Sequence, residues 1–311
     1  MTELRTLRQF VAVAEELHFS RAAERLHMTQ PPLSLAIQGL ERELGAALFV
    51  RTQRSVAMSP AGAALLPRVR RLLAEAEGLP QLAQAAAQGL AGRLRLAFVS
   101  SIAYGPLPLW LSSFRQSHVD VVLQLREATM DVQLAAFDAD EIDAGFVLHA
   151  PGAAPPGFAA WPALVEPMVL ALPQDHPAAA KRKLAFDSVA TEPLLIFPRG
   201  IAPSLYDAVL GFYRQKGATP RIAQEAIQMQ TLVNLVSSGM GLAWVPASVM
   251  QLQRPGVVYR PLAGTALQCE TSLVWREPAL PVVQRFVGHV QAQGKRAQQR
   301  QSPASRKAGA R

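Results

Sequence analysis

The sequence predicts a multi-domain α+β protein: an N-terminal winged helix-turn-helix, a long linker helix, and a two-lobed α/β region. Three observations carry that prediction. Short, capped segments of helical period fill residues 1–58. A heptad-spaced apolar seam follows Ser59-Pro60. Beyond Gly89, strand-like and helix-like segments alternate, which implies a parallel sheet with crossover helices.

Leu4, Leu7, Phe10, Val11, Ala14 and Leu17 fall on one helical stripe. Ser20 stands where a short second helix, ending near Leu26, needs an N-cap acceptor. Thr29 is the cap expected for a third helix, followed by Gln30, Pro31 and Pro32. Prolines suit a first turn, whose amides have no carbonyl partner within the helix. Leu33, Ile37, Leu40 and Leu44 form the buried face, and Gly45 closes the helix. Leu48–Arg51 and Val56–Met58, around a polar turn, predict a small hairpin wing. In such a module the third helix enters a DNA major groove.

Ser59-Pro60 is a helix start, a hydroxyl cap before proline. Leu65, Val69, Leu72, Ala76, Leu79, Ala83, Ala86 and Leu90 then alternate steps of four and three. Such a seam must be buried, and a second copy of the same helix is the simplest partner. Pro67 and Pro80 should bend it. Next come the strand Leu94–Phe98, the helix Leu107–Phe114, the strand Val121–Leu125, the helix Val132–Phe137 and the buried strand Ile142–Leu148. A second set starts near Leu164 and ends with the strand Leu242–Val245. The strand Thr271–Trp275 and the helix Val282–His289 return to the first set. Two lobes with a cleft result.

Of the 311 residues, 50% are hydrophobic and 17% charged, which suits a folded chain. No stretch reaches the ~20 apolar residues that span a bilayer. The N-terminus, with Glu3, Glu15 and Glu16, does not read as a secretory signal, and a cytoplasmic protein is expected. The single cysteine, Cys269, excludes an intrachain disulfide and a multi-cysteine zinc site. The net charge of +8 sits mostly in residues 295–311, which hold six basic and no acidic residues. Without them the count is 25 basic against 23 acidic. That tail is expected to be disordered.

Along almost the whole chain before that tail, these residues resemble the LysR-type transcriptional regulators. Phe19-Ser20-Arg21-Ala22-Ala23, Thr29-Gln30-Pro31-Pro32-Leu33-Ser34 and Leu40-Glu41-Arg42-Glu43-Leu44-Gly45 carry the likeness, with Leu48–Arg51 and Ser59–Gly62. Phe197–Gly200, Ser238–Gly241 and Val245–Ser248 look like the branch that controls aromatic and chloroaromatic catabolism. The resemblance implies a periplasmic-binding-protein-like effector domain over 90–294, lobe I at about 92–162 and 267–294 and lobe II at about 163–266. It places a dimerisation helix at 59–89. It further implies a homotetramer assembled as a dimer of dimers, double-stranded DNA bearing an inverted repeat as target, and RNA polymerase as a partner. It also implies that transcription is activated when a small-molecule effector is present, with no other cofactor.

Gln30, Ser34 and Gln38 lie on the exposed face of the third helix, where glutamine suits adenine and a hydroxyl suits base edges or phosphate. Pro31 and Pro32 offer apolar contact to thymine methyls. Arg51 and Arg54 bracket the wing and are expected on phosphate. Leu35 departs from the family, where arginine is frequent, so a guanine or phosphate contact is lost. In the cleft, Ser100, Ser101 and Thr129 follow strand ends, where ligands of open α/β sheets bind. Phe197-Pro198-Arg199, Val245-Pro246 and Phe146 complete the expected effector site. Hydroxyls, aromatic walls and a guanidinium suit a small carboxylate, aromatic or a ring-cleavage acid.

Other classes fit less well. Six scattered histidines share no metal-ligand spacing, and neither a phosphate loop nor a Gly-x-Ser-x-Gly elbow is present, which argues against an enzyme. A two-lobed solute-binding protein would not need residues 1–58. A redox sensor ordinarily uses two cysteines.

Overall fold

A computed structural model describes residues 2–52, 55–264 and 267–301, with side chains through Lys295. The chain forms two compact units, Met1–Gln84 and Ala85–Arg311.

In the first unit, helix α1 (Leu4–Glu16) buries Leu7, Phe10, Val13 and Ala14 and stops at Leu17 in the left-handed region. Helix α2 (Phe19–Arg25) is capped not by Ser20 but by His18, whose Nδ1 accepts the Arg21 N–H at 3.4 Å. The helix begins one residue ahead of Ser20, so that hydroxyl lies inside the first turn and donates to Gln30 Oε1 at 3.3 Å. Helix α3 (Gln30–Leu44) buries Leu33, Ile37 and Leu40 and ends at Gly45 with φ +66°. Thr29 holds the cap position with extended backbone, but its side chain makes no capping bond. Strands β1 (Phe49–Arg51) and β2 (Val56–Met58) pair antiparallel as the wing.

Helix α4 (Pro60–Ala87) runs through Pro67 and Pro80. Ser59 Oγ accepts the Gly62 N–H at 3.0 Å and donates to Ala47 O at 2.6 Å, fixing the helix start to the turn before the wing. A side chain at Gly62 would put Cβ 2.3 Å from Leu48 O, so this approach requires glycine. The predicted seam divides in two. Of its residues, Val69 packs into the core of the first unit with Leu65 beside it, whereas Leu72 and Leu79 stay exposed; outside the seam, Leu73 is buried with Leu66 beside it and Leu82 is exposed.

The second unit begins with strand β3 (Ala91–Phe98), helices α5 (Ser100–Ala103) and α6 (Leu107–Ser117), strand β4 (Asp120–Glu127), helix α7 (Met130–Asp138) and strand β5 (Ala144–His149). Then follow β6 (Ala159–Pro173), β7 (Pro193–Ile196), α8 (Pro203–Gln215), β8 (Arg221–Glu225), α9 (Met229–Ser237) and β9 (Leu242–Pro246). Strands β10 (Val257–Arg260) and β11 (Gln268–Trp275) and helix α10 (Pro281–Gln301) close the chain.

The sheet order is β4-β3-β5-β11-β6-β9-β7-β8, with β10 on β6. It is mixed, not parallel throughout as expected. The β3, β4, β5 and β7, β8, β9 pairings are parallel, but β11 runs antiparallel to β5 and β6, and β6 antiparallel to β9 and β10. The reason is connectivity: β6 leaves one lobe and enters the other in a single long strand, and β11 returns beside it. Residues Ala159–Pro167 of β6 pair with β11, and Met168–Pro173 pair with β9 and β10. Lobe I is packed around Trp110, Phe114, Phe146 and Phe286; lobe II around Leu195, Leu205, Tyr213 and Trp244.

Helix α10 continues through Gln301, beyond Lys295 where the disordered tail was expected to start; residues 302–311 lie outside the described residues. No described helix is long and apolar enough to cross a membrane.

Candidate functional site

The α3 face is set by its buried stripe. At ~100° per residue, Pro31, Leu35, Gln38 and Arg42 stand opposite Leu33, Ile37 and Leu40. Gln30, Pro31, Pro32, Leu35 and Gln38 are exposed, and Ser34 is half-buried at the edge of the face. Arg42 was not singled out from sequence, although its spacing of seven from Leu35 puts it on the same face. Residues 1–58 contain seven arginines against six glutamates, a net charge of +1, so phosphate contact there depends on individual arginines instead of a net positive field.

Arg51 does not stand free for phosphate as expected. Its guanidinium lies 4.3 Å from the Phe19 ring centroid, donates to Ser34 Oγ at 3.1 Å and pairs with Glu41 Oε2 at 3.4 Å. Glu41 Oε1 in turn accepts the Leu48 and Phe49 amides at 2.8 and 3.2 Å. Arg51 and Glu41 therefore clamp the wing to α3. These partners lie 10 to 32 residues away in sequence, so the clamp is a tertiary effect without a local sequence signal. Arg54 lies outside the described residues.

Between the lobes of the second unit is a cavity of about 40 Å³. Its walls include Ser100, Ser101 and Thr129, as expected, with Phe197 opposite. Met130, Ile201, Ala202, Gln228 and Met229 complete it and were not foreseen. Gln228 had a usable signal, since it stands between a strand and a helix start as Thr129 does. Helices α7 and α9 start at this cavity, and neither Thr129 nor Gln228 caps its helix through its side chain. Their first-turn amides lack intrahelical partners, which favours negative charge there. Thr129 Oγ1 donates to Asp131 Oδ1. Ser101 is 2% exposed, and its Oγ has no hydrogen-bond partner among the described residues.

Five expected residues lie elsewhere. Phe146 is fully buried between Trp110 and Phe286 in the lobe I core. Strand β5 is covered on both faces, so its inward residue packs instead of meeting the cleft. Val245 and Pro246 are buried in the same way at the end of β9. Pro198 is half-buried outside the cavity lining. Arg199 points away, its Nε and Nη2 donating to Asp207 Oδ1 and Oδ2 at 2.9 and 2.8 Å. This guanidinium holds the Asp207 carboxyl below the usual carboxylate range. Among the described residues, no charged side chain lines the cavity.

A buried polar cluster sits where β6 and β11 cross between lobes. Glu166 accepts Ser248 N–H at Oε2 and Ser248 Oγ–H at Oε1, the latter at 2.9 Å. Burial raises the Glu166 carboxyl above its ordinary range, and the Ser248 bonds pull it back in part. Ser248 Oγ also lies 3.3 Å from Ser101 O, which links lobe II, the crossing strand and the cavity wall. Burial pushes the neighbouring Cys269 thiol up, so it stays protonated and unreactive. On the other crossing strand Glu270 accepts from Ser272 Oγ at 2.8 Å and Gly152 N at 3.1 Å.

Known proteins match this architecture. Residues 4–63 match the model of the bacterial regulatory helix-turn-helix protein, lysR family, and residues 87–295 that of the LysR substrate binding domain. The chain is 44% identical over 294 residues to the HTH-type transcriptional regulator IlvR of Caulobacter vibrioides, covering 94% of this chain and 98% of that protein. It is 37% identical to the HTH-type transcriptional regulator AlsR of Bacillus subtilis, covering 92% and 94%. Full-length CbnR, solved in complex with its target DNA, superposes with a TM-score of 0.74 at 31% identity, over 94% of this chain and 100% of that one. These relatives are named as transcriptional regulators, not as enzymes. The chain is a DNA-binding transcriptional regulator with an effector-binding domain, and it belongs to the LysR family.

Proposed function

We propose that the protein switches transcription at an inverted-repeat operator when a small carboxylate, aromatic or a ring-cleavage acid, enters the inter-lobe cavity. The observation that carries the effector reading is the Ser101 hydroxyl, buried in the cavity wall and unpaired. A buried hydroxyl without a partner costs ~1–3 kcal/mol, and a ligand oxygen beside it would recover that cost. With Arg199 committed to Asp207, the carboxylate is held by hydroxyls and the amide ends of α7 and α9 instead of a guanidinium. A volume of about 40 Å³ holds only a few waters. Ligand pockets usually enclose ~300–1,000 Å³, so entry spreads the lobes about the β6 and β11 crossings.

On the DNA side, Gln30, Ser34 and Gln38 read base edges from α3, with Pro31 and Pro32 in apolar contact and Thr29 at the helix start. The exposed Leu72, Leu79 and Leu82 of α4 support pairing with a second copy, and the family's dimer-of-dimers assembly and activation through RNA polymerase follow from there. The experiment is a melting-temperature screen of the full chain with benzoate and cis,cis-muconate beside their neutral amides, since a ligand of the native state raises the transition. Carboxylates should raise it and the amides should not. The opposite ranking would overturn the anion reading.

A further inference from the structure

Thirteen consecutive residues, Met28 to Leu40, contain no charged or titratable side chain. They span the lead-in and first three turns of the DNA-facing helix. Leu35 stands at the centre of their exposed face, with 65% of its surface in solvent. It lies four residues from Pro31 and three from Gln38, so the three side chains are neighbours on the helix surface. Ser34, one residue away, is held by Arg51 Nη1 at 3.1 Å. The exposed centre of the reading face is thus apolar, and its polar edge is fixed.

A leucine in this place has one rewarding partner. The floor of the major groove offers hydrogen-bond donors and acceptors at every base pair, and a single apolar group, the C5-methyl of thymine. Opposite guanine or cytosine, Leu35 would strip water from polar edges without replacing their hydrogen bonds, which disfavours those pairs. Phosphate contact cannot compensate, because a leucine has nothing to give an anion.

We infer that Leu35 is a specificity-determining residue that reads a thymine methyl in each operator half-site. This rests on the proposed use of the α3 face for base reading and names the base it selects.

The experiment uses the full-length protein and its own selected DNA. Sequences enriched from random duplex define the half-site, and each dT in it is then replaced by dU, which deletes only the methyl. One dT facing α3 should lose affinity roughly fourfold per half-site for the unmodified protein, the effect of burying about one methyl group. L35A should bind the dT and dU duplexes equally at that position. L35R should exchange the thymine preference for guanine. If every dU penalty of the unmodified protein persists in L35A, so that all of them belong to Pro31 and Pro32, or if no position carries a penalty at all, the inference is overturned while base reading by Gln30 and Gln38 stays intact. Failure to enrich any sequence would remove the base-reading proposal itself, and this assignment with it. Leu35 packs against no core residue, so its variants should keep the native melting temperature, and a lowered one would itself count against a surface role.

Discussion

The two sites are built in opposite ways. The α3 face is open, its residues exposed and its edge fixed by the Arg51–Glu41 clamp. The cavity is small, about 40 Å³, and is walled mostly by buried and half-buried side chains, with a buried hydroxyl left unpaired. The difference follows from the size of the partner. A duplex cannot be enclosed, so the surface that meets it is formed beforehand and binding loses little to reorganisation. A metabolite is enclosed, so its site can close around almost nothing and open only against the ligand's own binding energy.

The largest expected effect tests whether the two units are energetically separate. Phe10 is fully buried and lies 5.6 Å from the Phe49 ring. F10A should cost ~3–5 kcal/mol in the first unit. Denaturant titration should then show that unit melting early and the second unit unmoved; a common shift would mean that they unfold together. Next in size is Q30A. It should lose ~1–3 kcal/mol at the selected operator and nothing on random duplex, as measured by fluorescence anisotropy. Equal losses on both would break the distinction between reading and mere adhesion.

S101A probes the cavity. Removing an unsatisfied buried hydroxyl should leave the ligand-free stability unchanged or raise it by up to ~1–3 kcal/mol, while abolishing the melting-temperature shift caused by carboxylates. A clear loss of ligand-free stability would show that Ser101 is structural. The smallest effect is E166Q. The native carboxyl titrates above its ordinary 4.5, so the folded state binds the extra proton and wild-type stability declines as pH rises from there through the raised value. The amide does not titrate, so the stability difference between variant and wild type should move in the variant's favour across that interval and level off above it. A difference independent of pH would refute the assignment.

The periodicity of α1, α3 and the first turns of α4 was legible because one stripe of each meets a core, and side-chain spacing records that directly. The lobes were legible from alternation, but the strand directions were not. Nothing within Ala159–Pro173 announces that its two halves serve different sheets. The cavity residues next to helix starts, Ser100, Ser101 and Thr129, were found because local chain geometry puts them there. Arg199 was misassigned because its partner Asp207 is eight residues away across a helix start, a distance that no periodic rule connects. Phe146 carried a usable warning: Ala144–His149 is almost wholly apolar, the pattern of a strand covered on both sides.

The return of β11 and α10 to lobe I has a consequence for synthesis. Residues 1–84 form a contiguous unit that can fold as soon as it leaves the ribosome. Lobe I cannot, because Leu273, Phe286 and Val290 of its core are made last. At ~5–20 residues per second, the strands through His149 wait roughly 6–24 s for β11 to emerge. During that wait the nascent chain already carries a folded DNA reader but no finished sensor.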